Sequence, residues 1–235
     1  MIKKRSFFSV LLSLCIFFSV FCFGNISAIN AEAKPEAVKY VTTNKQYKMD
    51  GRPILNFKIK RPVFTVKTKA NKKINNYFKK LCTKYRVNAL KFAKETFQEN
   101  PNNPMVHSFD DKITLTYNKN GKYSFKEKFV EFTGGVHPQY GTVGHNFSKK
   151  SGNKIPNSKL TKYSNKELKE KIYRKVEYLY YQYPNRFFPN ALETVENKQI
   201  KDYTFYLTDK HLNVVFQCYE IASWASGPTT VKIKL

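Results

Sequence analysis

The stretch EFTGGVHPQYGTVGHNF, Glu131 to Phe147, sets His137 and His145 eight residues apart among four of the chain's nine glycines. Two imidazoles so placed could share a metal ion, with His107 or Asp110 joining them, or act as catalytic acid and base. Their spacing matches no standard ligand set. The competing reading is a tight turn between two strands. Gly134, Gly135, Gly141 and Gly144 would supply backbone geometry closed to other residues, and His137 would hydrogen-bond a neighbouring backbone group to hold the turn. The turn reading is preferred, with a glycan-processing or metal-dependent hydrolase over Gly134–His145 as the alternative. No cofactor and no metal are expected.

Other chemistry is sparse. Ser151-Gly152-Asn153-Lys154 has the S-x-x-K form of penicillin-binding proteins, but it lies in a glycine turn and lacks the supporting S-D-N and K-T-G elements. The chain has no G-x-S-x-G, H-E-x-x-H or P-loop. Asp110 and Asp111 are adjacent, so on a strand or loop they point different ways and form no obvious acid/base pair. Tyr178 to Phe188 is rich in aromatic residues, and with Arg186 it offers ring faces suited to sugars.

The elements that would position these residues follow from periodicity. Ile54 to Lys60 and Val63 to Val66 alternate as a strand, interrupted by Pro62 at an edge or bulge. Ile74, Phe78, Leu81, Tyr85, Ala89, Phe92 and Ala93 recur at three and four, the stripe of a long helix ended by Asn100-Pro101. Strands are predicted at Ile113–Tyr117, Tyr123–Thr133 and Thr142–Phe147, with a hairpin turn at Asn118–Gly121. Ser164 and Glu167 read as a capping box opening a second long helix through Leu168, Ile172, Val176 and Leu179, ended by Pro184. A short helical or irregular piece spans Asn190–Asn197, then strands at Tyr203–Thr208, Leu212–Cys218 and Thr229–Leu235. The expectation is α+β: an antiparallel sheet of hairpin-connected strands packed with two long amphipathic helices.

The N-terminus bears on location. Lys3, Lys4 and Arg5 precede an uncharged apolar run from Phe7 to Phe23, and Ala31-Glu32-Ala33 fits a cleavage site. A signal peptide is therefore expected over 1–33, with an uncleaved anchor as the competing reading. A flexible leader would follow over 34–50 and one domain over 51–235. Removing the signal peptide's three basic residues and Glu32 lowers the formal charge from +25 to +23. Such an excess favours anionic surfaces, although lysines scattered without long runs also fit compositional drift. Cys82 and Cys218 would remain, as a disulfide or as two buried thiols.

The order of several short motifs resembles the extracellular domain of RsiV-type anti-sigma factors, a module also found before the catalytic domain of PdaC-type peptidoglycan deacetylases. Ile54–Val66 with Asn71–Phe78 resembles its opening strand and helix. Thr133–His137 resembles its G-G-A-H turn, and Asn146–Leu160 its "strand, T-G-K, leucine" segment. Phe205–Thr208, Tyr219–Ala222 and Gly227 resemble its closing signature, with Ser223-Trp224 where the family has P-Y. The resemblance implies an α+β domain outside the cell, without established catalysis of its own, that in RsiV binds lysozyme. A cationic lysozyme would need an acidic patch here, such as Glu193, Glu196 and Asp202. The expected function is a secreted, non-enzymatic envelope-binding module for anionic wall polymer, peptidoglycan or a protein such as lysozyme, with no nucleic acid and only transient or anchor-mediated membrane contact. The candidate contact residues are His137, Tyr140, Tyr181, Tyr183, Arg186, Tyr219 and Trp224. Gly134, Gly135 and Gly227 are the candidate turn formers.

Overall fold

Among the described residues eight strands build two sheets, and each sheet buries one face under helix. The computed structural model describes residues 38–235; the expected signal peptide lies outside them. The first sheet contains β1 (Val38–Met49), β2 (Arg52–Phe64), β3 (His107–Lys119), β4 (Lys122–Phe132) and β5 (Gln139–Ser148), in that spatial order. The second contains β6 (Thr204–Thr208), β7 (His211–Phe216) and β8 (Thr229–Lys234). Among the described residues three α-helices complete the mixed α+β fold: α1 (Lys69–Glu99), α2 (Asn165–Gln182) and the short α3 (Ala191–Asn197).

Two expectations are corrected. The strands form two sheets, and the larger is mixed: β2 and β3 run parallel from Leu55↔His107 to Lys60↔Lys112. A parallel pair needs a long crossover, and the 31-residue α1 provides it. The leader expected over 34–50 is strand from Val38 onward, paired with β2 along its length. Its side chains are almost all exposed on both faces, so it carries no apolar alternation. The signal it does carry is Asp50-Gly51, whose φ angles of 49° and 76° make the hairpin turn. Asn120-Gly121, at 49° and 69°, repeats that device between β3 and β4. Pro62 lies beyond the end of the β3 pairing, so its missing N–H breaks no ladder on that side.

Helix α1 starts where Thr68 accepts a hydrogen bond from the Asn71 N–H (3.1 Å). It lays Ile74, Phe78, Cys82, Ala93 and Phe97 on the first sheet, against Phe57, Phe109, Phe125 and Phe147. Helix α2 opens with the Ser164–Glu167 capping box and buries Leu168, Ile172 and Val176 against the second sheet. Cys82 and Cys218 are both free thiols. Among the described residues no helix is long and apolar enough to cross a membrane.

The sheets meet at Gly144. A Cβ there would lie 1.8 Å from the Phe205 carbonyl oxygen, so only glycine lets β5 approach the β6 backbone. Its φ is not positive, and close approach rather than unusual dihedrals explains it. Around this point Asn146 Nδ2 donates to Phe205 O (2.8 Å), and Ser124 Oγ accepts from Leu207 N–H (2.8 Å). Gly144→Ala is expected to cost at least ~3 kcal/mol, lowering Tm by roughly 6–12 °C. Gly121→Ala, strained in φ but facing open space, should cost only about 1 kcal/mol. Thermal unfolding of the two variants side by side checks the difference.

Candidate functional site

The turn between β4 and β5 is shaped by Gly134 (φ 113°) and Gly135 (φ 90°). A Cβ on Gly134 would meet only the flexible end of the Met105 side chain, at 2.7 Å, so the positive φ rather than space calls for glycine there. The turn leaves Val136 97 % exposed and turns His137 the other way, onto Trp224. The two rings stack with centroids 4.0 Å apart and planes 20° from parallel. Trp224 opens a single 3-10 turn that Gly227 closes at φ 67°. Its indole N–H donates to Pro138 O (3.0 Å), and Tyr140 O–H donates to Trp224 O (2.7 Å). Tyr219 O–H lies 3.3 Å from His137 Nε2, while His137 Nδ1 lies 3.2 Å from Pro138 O.

His137, Tyr140, Tyr219 and Trp224 are thus brought together, with Gly134, Gly135 and Gly227 shaping the two turns. Tyr219 is 55 % exposed and holds φ at 66°, a left-handed conformation rare for an aromatic residue. That strain is retained at an exposed ring aimed at a histidine, an arrangement more common at functional sites than elsewhere. Arg186 adjoins the cluster without entering it: its guanidinium lies 3.4 Å from Thr229 Oγ1 and its carbonyl accepts from Ser226 Oγ (3.5 Å). Tyr181 and Tyr183, 69 % and 57 % exposed, lie at the end of α2 and make no ring contact with His137 or Trp224.

His145 is elsewhere. It is six residues along β5 from Gln139, roughly 20 Å at strand rise, and faces α1. There Nε2–H donates to Glu127 Oε2 (2.6 Å), Tyr85 O–H donates to Glu127 Oε1 (2.8 Å), and Tyr77 O–H lies 3.0 Å from Nδ1. The two histidines therefore do not share a site. Among the described residues no group of three His, Cys, Asp or Glu side chains could hold a metal ion.

Sequence reasoning missed this polar layer under α1. Asp111 is 1 % exposed, and no side chain donates a hydrogen bond to its carboxyl oxygens. Burial, and secondly the Glu127 carboxylate, push its pKa up to about 8. The same burial, then Asp111, push the Cys82 thiol to about 12 and leave it unreactive. A 390 Å³ cavity beside the layer is lined by Tyr85, Phe92, Phe109, Glu127 and Glu131. Parity was the available signal: Glu127 alternates with Tyr123, Phe125 and Phe129, and Asp111 with Phe109 and Ile113, so both acids occupy core-facing positions.

Against this geometry, the fold and the comparisons define an α+β module consistent with the PdaC type. Residues 50–140 match the family model described as Deacetylase PdaC, and residues 152–235 that of Protein of unknown function (DUF3298). No curated protein matches the chain. Among solved structures, a DUF3298-family protein of Bacteroides fragilis is similar with a TM-score of 0.59 at 16 % identity, covering 84 % of this chain and 90 % of that one. One from Pseudomonas aeruginosa gives 0.60 at 12 % identity, covering 85 % and 91 %. The aromatic cluster takes His137 and Tyr140 from the first matched region, and Tyr219 and Trp224 from the second.

Asp111 sets a pH dependence. Its folded-state pKa is raised above the ordinary 3.8, so its contribution to stability is full below about pH 4 and is lost as pH rises towards 8. Asp111→Asn is expected to raise Tm at pH 8, to change it little at pH 4, and to flatten the decline between them. Thermal melts across that range check this.

Proposed function

We propose that the chain is an exported, non-enzymatic module of the cell envelope whose His137–Trp224 platform, edged by Tyr140 and Tyr219, holds wall glycan. The observation that carries this reading is the stacked and partly exposed ring cluster, assembled from both matched regions and including a strained, exposed tyrosine. Sugar rings present apolar C–H faces to such surfaces, while hydroxyls of the kind on Tyr219 fix their orientation. Support comes from the match to a model named for a deacetylase and from the charge of +25, which draws anionic wall polymer. Both support a cell-wall context for the module.

A protein ligand is the second reading, with the chain as an RsiV-type domain and lysozyme as partner. It is favoured by Glu193, Glu196 and Asp202, all exposed on α3 and the turn after it, which offer carboxylates to a cationic protein. Calorimetry with lysozyme at moderate salt separates the readings: heat and enzyme inhibition support the second, and their absence removes it.

For the glycan reading, Trp224→Ala is expected to weaken sedimentation with purified walls about tenfold, ~1.4 kcal/mol. Tyr219→Asn keeps a residue that tolerates positive φ, so Tm should hold or rise while binding falls. Wall binding unchanged in both variants would remove the platform from the interface.

A further inference from the structure

The outward face of β4 carries a feature that the aromatic cluster leaves unused. Ser124, Lys126, Lys128 and Val130 alternate with the core residues and point away from α1. Lys126 reaches the buried Tyr206 of β6: its ammonium donates to the phenol oxygen (3.2 Å) and lies 4.8 Å from the ring centre. Lys128 on β4 and Lys232 on β8 add further positive charge to the field at the same Tyr206 hydroxyl. None of the three belongs to an ion pair among the described residues. Burial holds the Lys126 pKa below its usual value, the mark of a partly desolvated charge without compensation.

Lys126 and Lys128 open onto a 340 Å³ cleft lined also by Tyr140, Thr142, Pro228 and Thr230, with no acidic side chain on its walls. Tyr140 is the hinge of the argument. The same residue borders this cleft and hydrogen-bonds Trp224, and Pro228 follows the glycine that ends the Trp224 turn. An anion in the cleft would therefore lie next to a ring resting on the platform. Lysines are common in this chain, and scattered surface lysines mean little. Two lysines lining one cleft without an acid are different, because their like charges repel and Lys126 is partly desolvated as well. A bound anion relieves both costs.

We infer that this cleft is a subsite for the anionic substituent, phosphate or carboxylate, of a glycan whose sugar ring lies against Tyr140 and Trp224. The inference rests on the platform reading above, and the experiment keeps the two apart. Calorimetry at low salt would compare three probes on the full chain: a neutral N-acetylglucosamine oligomer, a peptidoglycan disaccharide bearing its lactyl carboxylate, and poly(glycerol phosphate). The expected result is that at least one anionic probe binds tenfold or more tighter than the neutral one. That preference should shrink with added salt and vanish in Lys126→Met/Lys128→Met. The carboxylate and phosphate arms show which source supplies the anion. Lys128→Met alone, at an exposed position, should reduce the preference without changing Tm, which guards against a folding defect in the double variant. Equal affinity for neutral and anionic probes, or a preference that survives both variants, overturns the subsite. Loss of the preference in the lysine variants with Trp224→Ala binding every probe normally would keep the subsite and overturn the platform.

Discussion

The backbone contact between Gly144 and Phe205 is the constraint on which the rest of the structure depends. Each sheet has its own helical cover and its own apolar core, with Tyr117 of β3 the one buried residue of the first sheet that packs into the core of the second. What joins them is a strand edge brought too close for a side chain, then secured by Asn146 and Ser124 on the neighbouring backbone. Gln217 adds a further tie, exchanging hydrogen bonds with both the N–H and the carbonyl of Thr142 (3.1 and 2.7 Å). The ring cluster exists only because this seam is closed, since His137 stands on one side and Trp224 on the other. A site built across a seam inherits its precision from the seam, because stacking at 4.0 Å tolerates little slippage.

The polar layer under α1 answers to a different balance. Glu127 is almost fully buried, yet its oxygens receive hydrogen bonds from Tyr85 and His145, which offsets much of the desolvation of a carboxylate. Asp111 receives no such compensation and is forced towards its neutral form. The two acids therefore divide the work: one is anchored by donors from a helix and a neighbouring strand, and the other avoids charge. Satisfied polar groups in a core favour one arrangement of its elements, because a shifted α1 would withdraw both Tyr77 and Tyr85 from their partners.

Much of the fold was legible because local signals and tertiary outcome agreed. Asn120-Gly121 turns where a hairpin signal says it should, Ser164 and Glu167 cap reciprocally, and Asn100-Pro101 stops α1. β1 was illegible because its faces are both wet, and periodicity reports burial rather than pairing. The parallel β2–β3 pair was missed for another reason: a helix after a strand states that a crossover exists, not which strand receives it. At the site, the glycines of the β4–β5 turn announced a turn, but nothing in spacing joins His137 to a tryptophan 87 positions later. Those two residues entered the reading through separate motifs of one family resemblance, and only the closed seam makes them neighbours.

Charge and shape then complement each other. A chain with 42 basic and 17 acidic residues repels itself, and the cheapest relief is to keep lysines apart in water. Its acids are too few to neutralise the surplus, and several are occupied: Glu127 and Asp111 are buried, Glu167 is committed to a helix cap, and Glu220 is paired with Lys198. Where Lys126 and Lys128 nonetheless line one cleft without an acidic side chain, the compensating charge has to come from outside the chain. Its location beside Tyr140 ties that requirement to the ring platform, so that one strand edge presents an apolar face and a cationic pocket side by side. A ligand with an apolar ring face and an adjacent negative group satisfies both with a single binding pose, which neither a neutral sugar nor a bare anion can do.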